Sequence, residues 1–130
     1  MDAQGHAAIQ ELCRGRFRVL GPSNHFTHDR IVRFDADGPA LVRGPVTSHA
    51  EMNRMGRAMV AAIRYSDVYR RLAGAWRFAM RELSFMRYVD ALDYADALGP
   101  GLTKRMRAYG EAGEADWPER LDIWRRFHGR

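Results

Sequence analysis

The sequence predicts an α+β fold: an antiparallel meander of four strands with a helix before it and helical segments after it. Three observations carry this. Residues 6–18 repeat apolar side chains at helical spacing. Residues 25–88 form long runs punctuated by short turn signals at Asp37-Gly38, Asn53–Gly56 and Ala73-Gly74. After Tyr88 the pattern changes again, to short apolar stretches broken by Gly99-Pro100-Gly101.

In the first element, Ile9, Leu12, Cys13 and Phe17 form an apolar stripe, with Arg14 and Arg18 outside it and Arg16 within it. Gly21-Pro22-Ser23-Asn24 reads as a loop. Strands are expected over 25–34, 39–52, 57–72 and 75–88, with Gly44-Pro45 marking a bulge or an edge position in the second. Residues 89–98 read as helical or irregular, and 102–108 as a short helix. Asp116-Trp117-Pro118-Glu119 resembles a helix start, with Trp117, Leu121, Trp124 and Phe127 on its apolar side.

A two-residue turn at Ala73-Gly74 makes paired positions of the last two strands sum to 147. Trp76, Phe78 and Met80 then share a face with Tyr69, Asp67 and Tyr65, and further along with Ile63, Ala61 and Met59. Arg71 and Glu82 fall at the rim of this covered, largely apolar face. The other face mixes Arg64, Arg70, Arg77 and Arg81 with Val60, Ala62, Val68, Ala79 and Leu83. A sheet with a half-apolar back suggests a partner, most simply a second copy of the chain.

The chain has 130 residues, one domain's worth, with 46% hydrophobic and 28% charged residues. Its net charge is +5, but of 21 basic residues only Lys104 is a lysine, and the arginines are spread along the whole chain. That distribution argues for a compositional habit and against a nucleic-acid surface. A lone lysine in a polar segment disfavours Schiff-base chemistry. The single cysteine, Cys13, excludes an intrachain disulfide and a thiolate metal cage. No apolar run reaches membrane-span length and no leader opens the chain, so no membrane partner and a cytoplasmic location are expected. No glycine-rich phosphate loop and no ligand-spaced His/Asp/Glu cluster is present, so no cofactor and no metal are expected.

His25 and His49 lie almost equally far either side of the first turn. With a three-residue loop or a bulge they become near cross-strand neighbours on one face. Histidine titrates near neutrality, so such a pair suits acid/base work. The competing reading is two ordinary strand histidines. His28 points away from His25, and His6 and His128 lie near the termini. Tyr65 and Asp67, two apart, both face the covered side. Asp67 could orient a histidine and Tyr65 could donate to a substrate carbonyl. The favoured alternative for Asp67 is an ion pair with an arginine of another element. Met59, Ile63, Tyr69, Trp76, Phe78 and Met80 are expected to wall a pocket.

The run from "GHAAIQEL" through "NHFTHDRIVRFDADGPALVRGPVTSH" to "RYSDVYRRLAGAWRFAMREL" resembles the SnoaL-like branch of the nuclear transport factor 2 superfamily. Its most recognisable piece is Y-x-D-x-Y followed by G-x-W-R-F-x-x-R. The resemblance covers about residues 5–88. It implies a cone-shaped α+β fold, a curved antiparallel sheet wrapped round helices with an apolar pocket between. Members include polyketide cyclases, ketosteroid isomerase-like and scytalone dehydratase-like enzymes, epoxide hydrolases and proteins that only bind or dimerise. The spacing of His25 and His49 is similar to that of the paired active-site histidines of the dehydratase-like members, which act on a hydroxy-ketone. The family normally opens with a long and a short helix before the segment matching "GHAAIQEL"; here that part is absent. Two expectations stand: the chain is a fragment or has a misplaced start, or the tail from residue 89 does the lid's work.

The resulting expectation is a core over 1–88 and a helical tail over 89–130, a lid or a dimer arm. The function expected is binding of a small apolar or polycyclic organic ligand, with cofactor-independent lyase or isomerase chemistry by His25, His49, Asp67 and Tyr65. The alternative is a non-catalytic ligand-binding or dimerisation module of the same fold, in either case a homodimer.

Overall fold

The computed structural model describes residues 2–35, 41–99, 105–108 and 111–129. Helix α1 (His6–Phe17) is followed by strands β1 (Leu20–Arg30), β2 (Arg33–Phe34), β3 (Leu41–Arg54), β4 (Arg57–Leu72) and β5 (Ala75–Asp90). A 3-10 turn (Ala91–Asp93) leads into α2 (Tyr94–Ala97), and a second (Pro118–Arg120) precedes α3 (Asp122–Phe127). The strands form one antiparallel sheet in the order β1-β3-β4-β5, with β2 pairing β3 beyond the end of β1. No helix among the described residues is long and apolar enough to cross a membrane.

The two tight hairpins follow from local chemistry. Met55-Gly56 and Ala73-Gly74 each take positive φ at both residues, the twist that matches two-residue hairpins. The side chain of Asn53 reinforces the first by accepting from the N–H of Gly56 at 3.0 Å. The expected Asp37-Gly38 turn lies outside the described residues.

Gly21-Pro22-Ser23-Asn24, expected as a loop, belongs to β1. Pro22 is tolerated because β1 is an edge strand and the pairing shifts register between Leu20 and Ser23. In β3, both Gly44 and Pro45 stay in the β4 ladder, opposite Asp67 and Ser66. A Cβ at Gly44 would stand 3.2 Å from the Ile31 carbonyl oxygen, so glycine lets the β1–β2 link cross close by.

The main core cluster lies on one face of the sheet, while Ala62 and Val89 are buried on the other. Ala50 and Met52 of β3, Met59, Ala61 and Ile63 of β4 and Tyr88 of β5 form the main cluster, with Leu20, Tyr65, Leu83, Phe85, Met106 and Ala108 packed around it. The Tyr88 hydroxyl reaches across to Met52 Sδ at 2.9 Å. Helix α1 buries none of its residues.

The tail closes the β5 edge. Residues 105–107, expected in a short helix over 102–108, are extended beside β5: Tyr88 N–H donates to the Arg105 carbonyl at 2.8 Å, and Arg107 N–H to the Tyr88 carbonyl at 2.9 Å. An unpaired strand edge beside an apolar face is satisfied best by another extended segment, and this requirement overrides the helical pattern of 102–108. Residues 102–104 lie outside the described set.

Candidate functional site

β-Bulges decide which side chains meet. In the turn-proximal part of the β4–β5 hairpin the expected register holds, with Arg71 opposite Trp76 and Tyr69 opposite Phe78. The register then shifts, and Val68 pairs Met80 while Asp67 pairs Arg81. Ala79 is the extra residue. It turns Met80 to the opposite face, so the expected wall residue Met80 does not join Trp76 and Phe78. It turns Arg81 and, two residues on, Leu83 to the core face, and sends Glu82 to the back. A second shift at Met86 restores Tyr88 to the core.

Asp67 is thereby given its partner. Its side chain has no exposed surface, while that of Arg81 is 45% exposed. Arg81 Nε donates to Asp67 Oδ1 at 2.8 Å and Nη2 to Oδ2 at 2.7 Å, a two-pronged pair. The Tyr69 hydroxyl adds a third bond to Oδ2 at 2.8 Å. The Arg81 guanidinium also lies over the Tyr65 ring at 4.5 Å and the Phe78 ring at 4.4 Å. The bonds to Asp67 hold the Arg81 pKa above its ordinary value. Burial raises Tyr65, with Asp67 adding to the shift against the opposing charge of Arg81. Burial raises Tyr69 as well, helped by its bond to Asp67. Both phenols are therefore protonated donors at neutral pH.

A third bulge parts the two histidines. Next to β2, pairs of β1 and β3 run in the register of Arg30 opposite Val46; beyond an extra residue in β1 it becomes Thr27 opposite Ser48. His25 then stands opposite Ala50, and His49 opposite Phe26. A one-residue step reverses the face, so His25 shares the core face and His49 the other, with its ring 6.5 Å from that of Phe26. The expected cross-strand histidine pair is not formed.

Asp67 is likewise not assembled with His25. His25 belongs to the row Ala50–Ala61–Tyr88, six β4 residues from Asp67, about 20 Å along the strand. Tyr65 lies four residues from that row, about 13 Å. Of the expected wall residues, Met59 and Ile63 are buried in the core cluster. Tyr69 is half-buried, and Trp76 and Phe78 are 43% and 58% exposed. Arg81 was missed by sequence reasoning because Trp76, Phe78 and Met80 alternate as an unbroken strand would, hiding the bulge at Ala79.

Open surface grooves lie away from most of these residues. One is bordered by Pro22, Asn24, Glu51, Met59 and Ala91, another by Leu121, Trp124 and Phe127. Of the expected site residues only Met59 borders either.

The arrangement can be set beside known proteins. A family model described as SnoaL-like domain matches residues 1–82. No curated protein sequence matches the chain. Three crystal structures share its fold. A type 2 hexachlorocyclohexane dehydrochlorinase (LinA) superposes with a TM-score of 0.63 at 15% identity, over 68% of this chain and 60% of that one. A second LinA structure gives 0.63 at 16% identity with the same coverage. A scytalone dehydratase-like protein of Novosphingobium aromaticivorans DSM 12444 gives 0.67 at 14% identity, over 94% of this chain and 69% of that one. The chain thus spans about 60% of the LinA length. At such identities the likeness is one of fold: the curved sheet and flanking helices of the nuclear transport factor 2 type. With the profile covering most of the residues that build this sheet, the chain belongs to the SnoaL-like domain family.

Proposed function

We propose that this chain binds a small apolar or polycyclic organic molecule against the core face of its sheet. We further propose that its chemistry, a cofactor-independent elimination or isomerisation, runs through one histidine, His25. The observation that carries this reading is the register that sets His25, itself exposed to solvent, at the edge-strand end of a row whose other members, Ala50, Ala61 and Tyr88, are buried on the apolar face. In that role the imidazole takes a proton from carbon while the leaving group departs from the neighbouring carbon, either as chloride or as water after taking a proton from the solvent to which this site is open. Tyr65, a neutral phenol on the same face about 13 Å along the strand and two strands across, about 16 Å from His25 in all, donates to an oxygen at the far end of an extended polycyclic ligand. Asp67 is assigned to holding Arg81 and the rings beside it rather than to catalysis. His49 has no part in the reaction.

The test uses the two reactions that the structural neighbours' names describe: chloride release from hexachlorocyclohexane and water loss from scytalone. The wild-type chain and His49→Ala are expected to turn over one of them, and His25→Ala neither. Equal turnover by wild type and His25→Ala would refute the assignment.

A second reading has its own support. Asp67 is fully engaged by Arg81 and Tyr69, and no histidine stands opposite His25. A non-catalytic ligand-binding or dimerisation module needs no assembled acid/base pair. It predicts ligand binding, or a dimer by light scattering, without turnover of either compound.

A further inference from the structure

The back of the sheet, away from His25, holds a row of basic groups that the proposed chemistry does not use. His49, Ala62 and Arg87 stand opposite one another across β3, β4 and β5. The tail strand extends the row. Met106 pairs in parallel with Tyr88, and Met106 packs on the core face. Side chains alternate along an extended segment, so Arg105 emerges on the back, beside Arg87 on the neighbouring strand, about 4.8 Å away.

Two arginines side by side repel each other, and the cost grows with burial. Arg105 is only 3% exposed. Several other arginines on or beside the sheet have carboxylate partners, Arg57 with Asp90, Arg64 with Asp116, Arg81 with Asp67 and Arg107 with Asp93, while Arg70, Arg71 and Arg77 are exposed to water. Arg87 and Arg105 have no carboxylate within ion-pair distance among the described residues. Glu119 reaches Arg105 only through its longer-range field. Burial and then, opposing Glu119, the charge of Arg87 leave Arg105 below its ordinary pKa.

Each guanidinium is stacked on one aromatic ring and makes one hydrogen bond. Arg105 lies over the Trp117 ring at 3.7 Å, and Arg87 over the Tyr94 ring at 4.9 Å. Arg105 Nε donates to the Ala97 carbonyl at 2.8 Å, and Arg87 Nη2 to the Tyr94 hydroxyl at 3.1 Å. Arg87 Nε is buried without a partner, and so is His49 Nε2 on the other side of Ala62. A ring-backed guanidinium with free N–H edges matches the oxygens of carboxylate or phosphate. Burial limits the occupant to a small molecule and disfavours a nucleic-acid strand.

We propose that Arg87 and Arg105, backed by Tyr94 and Trp117, form a second binding site on the back of the sheet for a small oxyanion, carboxylate or phosphate. The anion neutralises the paired arginines and ties the tail to β5. The site is separated by the sheet from His25, so it stands or falls independently of the catalytic reading.

Calorimetric titration of the full chain with inorganic phosphate, and separately with acetate, at constant ionic strength tests it. One saturable site is expected for at least one of them; the anion that binds identifies the ligand class. Arg70→Gln, an exposed arginine on the same face, should bind like wild type. Arg87→Gln and Arg105→Gln should each bind about tenfold more weakly or worse, as loss of a charge-assisted contact implies. Far-ultraviolet circular dichroism with a cooperative thermal transition checks that each variant is folded, and if Arg105→Gln is not, Arg87→Gln decides. No saturable uptake of either anion by wild type, or undiminished binding by folded Arg87→Gln, overturns the proposal.

Discussion

Removing either member of the Asp67–Arg81 pair should destabilise the fold, but unequally. Asp67 has a side chain with no exposed surface, whereas Arg81 is 45% exposed. Arg81→Met strands a buried carboxylate with only the Tyr69 hydroxyl as donor. Breaking a buried pair in this way costs about 3–5 kcal/mol. Asp67→Asn strands no charge, because the half-exposed guanidinium can turn to water and the Tyr69 hydroxyl can rotate to accept from the new amide N–H. Discounting its charge-assisted bonds for that exposure leaves a cost of about 1–2 kcal/mol. In a chain of this length 1 kcal/mol moves the melting midpoint by about 4 °C. The expected losses are therefore about 12–20 °C for Arg81→Met and about 4–8 °C for Asp67→Asn. The double variant removes both charges and should be more stable than Arg81→Met alone. Thermal unfolding followed by circular dichroism, with urea titration to check that the transition stays two-state, measures all four proteins. An Arg81→Met variant no less stable than Asp67→Asn would refute the buried-pair argument.

Further outcomes follow from the same geometry. Asp90 accepts from Leu92 N–H and, at its other oxygen, from Arg57 Nε, and the first bond above all holds its pKa below 3.8. Its contribution is present above pH 3.8 and is lost as pH falls through the depressed value, so Asp90→Asn should flatten the acid limb of the stability profile in that window. Ala73 sits at φ 47° in a two-residue hairpin, and Ala73→Asn should raise stability by up to about 1 kcal/mol in urea titration. Deletion of Ala79 removes the bulge without parting Arg81 from Asp67. It should keep a cooperative transition, whereas deletion of Val68 from the opposing strand should not.

The long elements were legible because their signals are local. The bounds 57–72 of β4 follow from two turn dipeptides, and the helical stripe of 6–18 matches α1 to within a residue. The Y-x-D-x-Y and W-R-F-x-x-R segments were recognisable as a pair, and the structure gives the reason: Asp67, Tyr69 and Arg81 are bonded to one another. The face assignments failed at bulges. One extra residue reverses every side chain beyond it, and neither Ala79 nor the His28-Asp29 step carries a glycine or proline to mark it. The edge pairing of 105–107 was illegible for another reason. It is set by the unpaired rim of β5, a tertiary demand that no local pattern encodes.

The central claim, that ligand chemistry occurs on the core face at His25 and not at His49, is tested most directly by nuclear magnetic resonance. Long-range proton–nitrogen spectra of the imidazoles, recorded while hexachlorocyclohexane and scytalone are each titrated in, report each ring separately once assigned through His25→Ala and His49→Ala. The account predicts that the His25 ring nitrogens shift saturably and those of His49 stay in place. Movement of His49 with a silent His25 would contradict it.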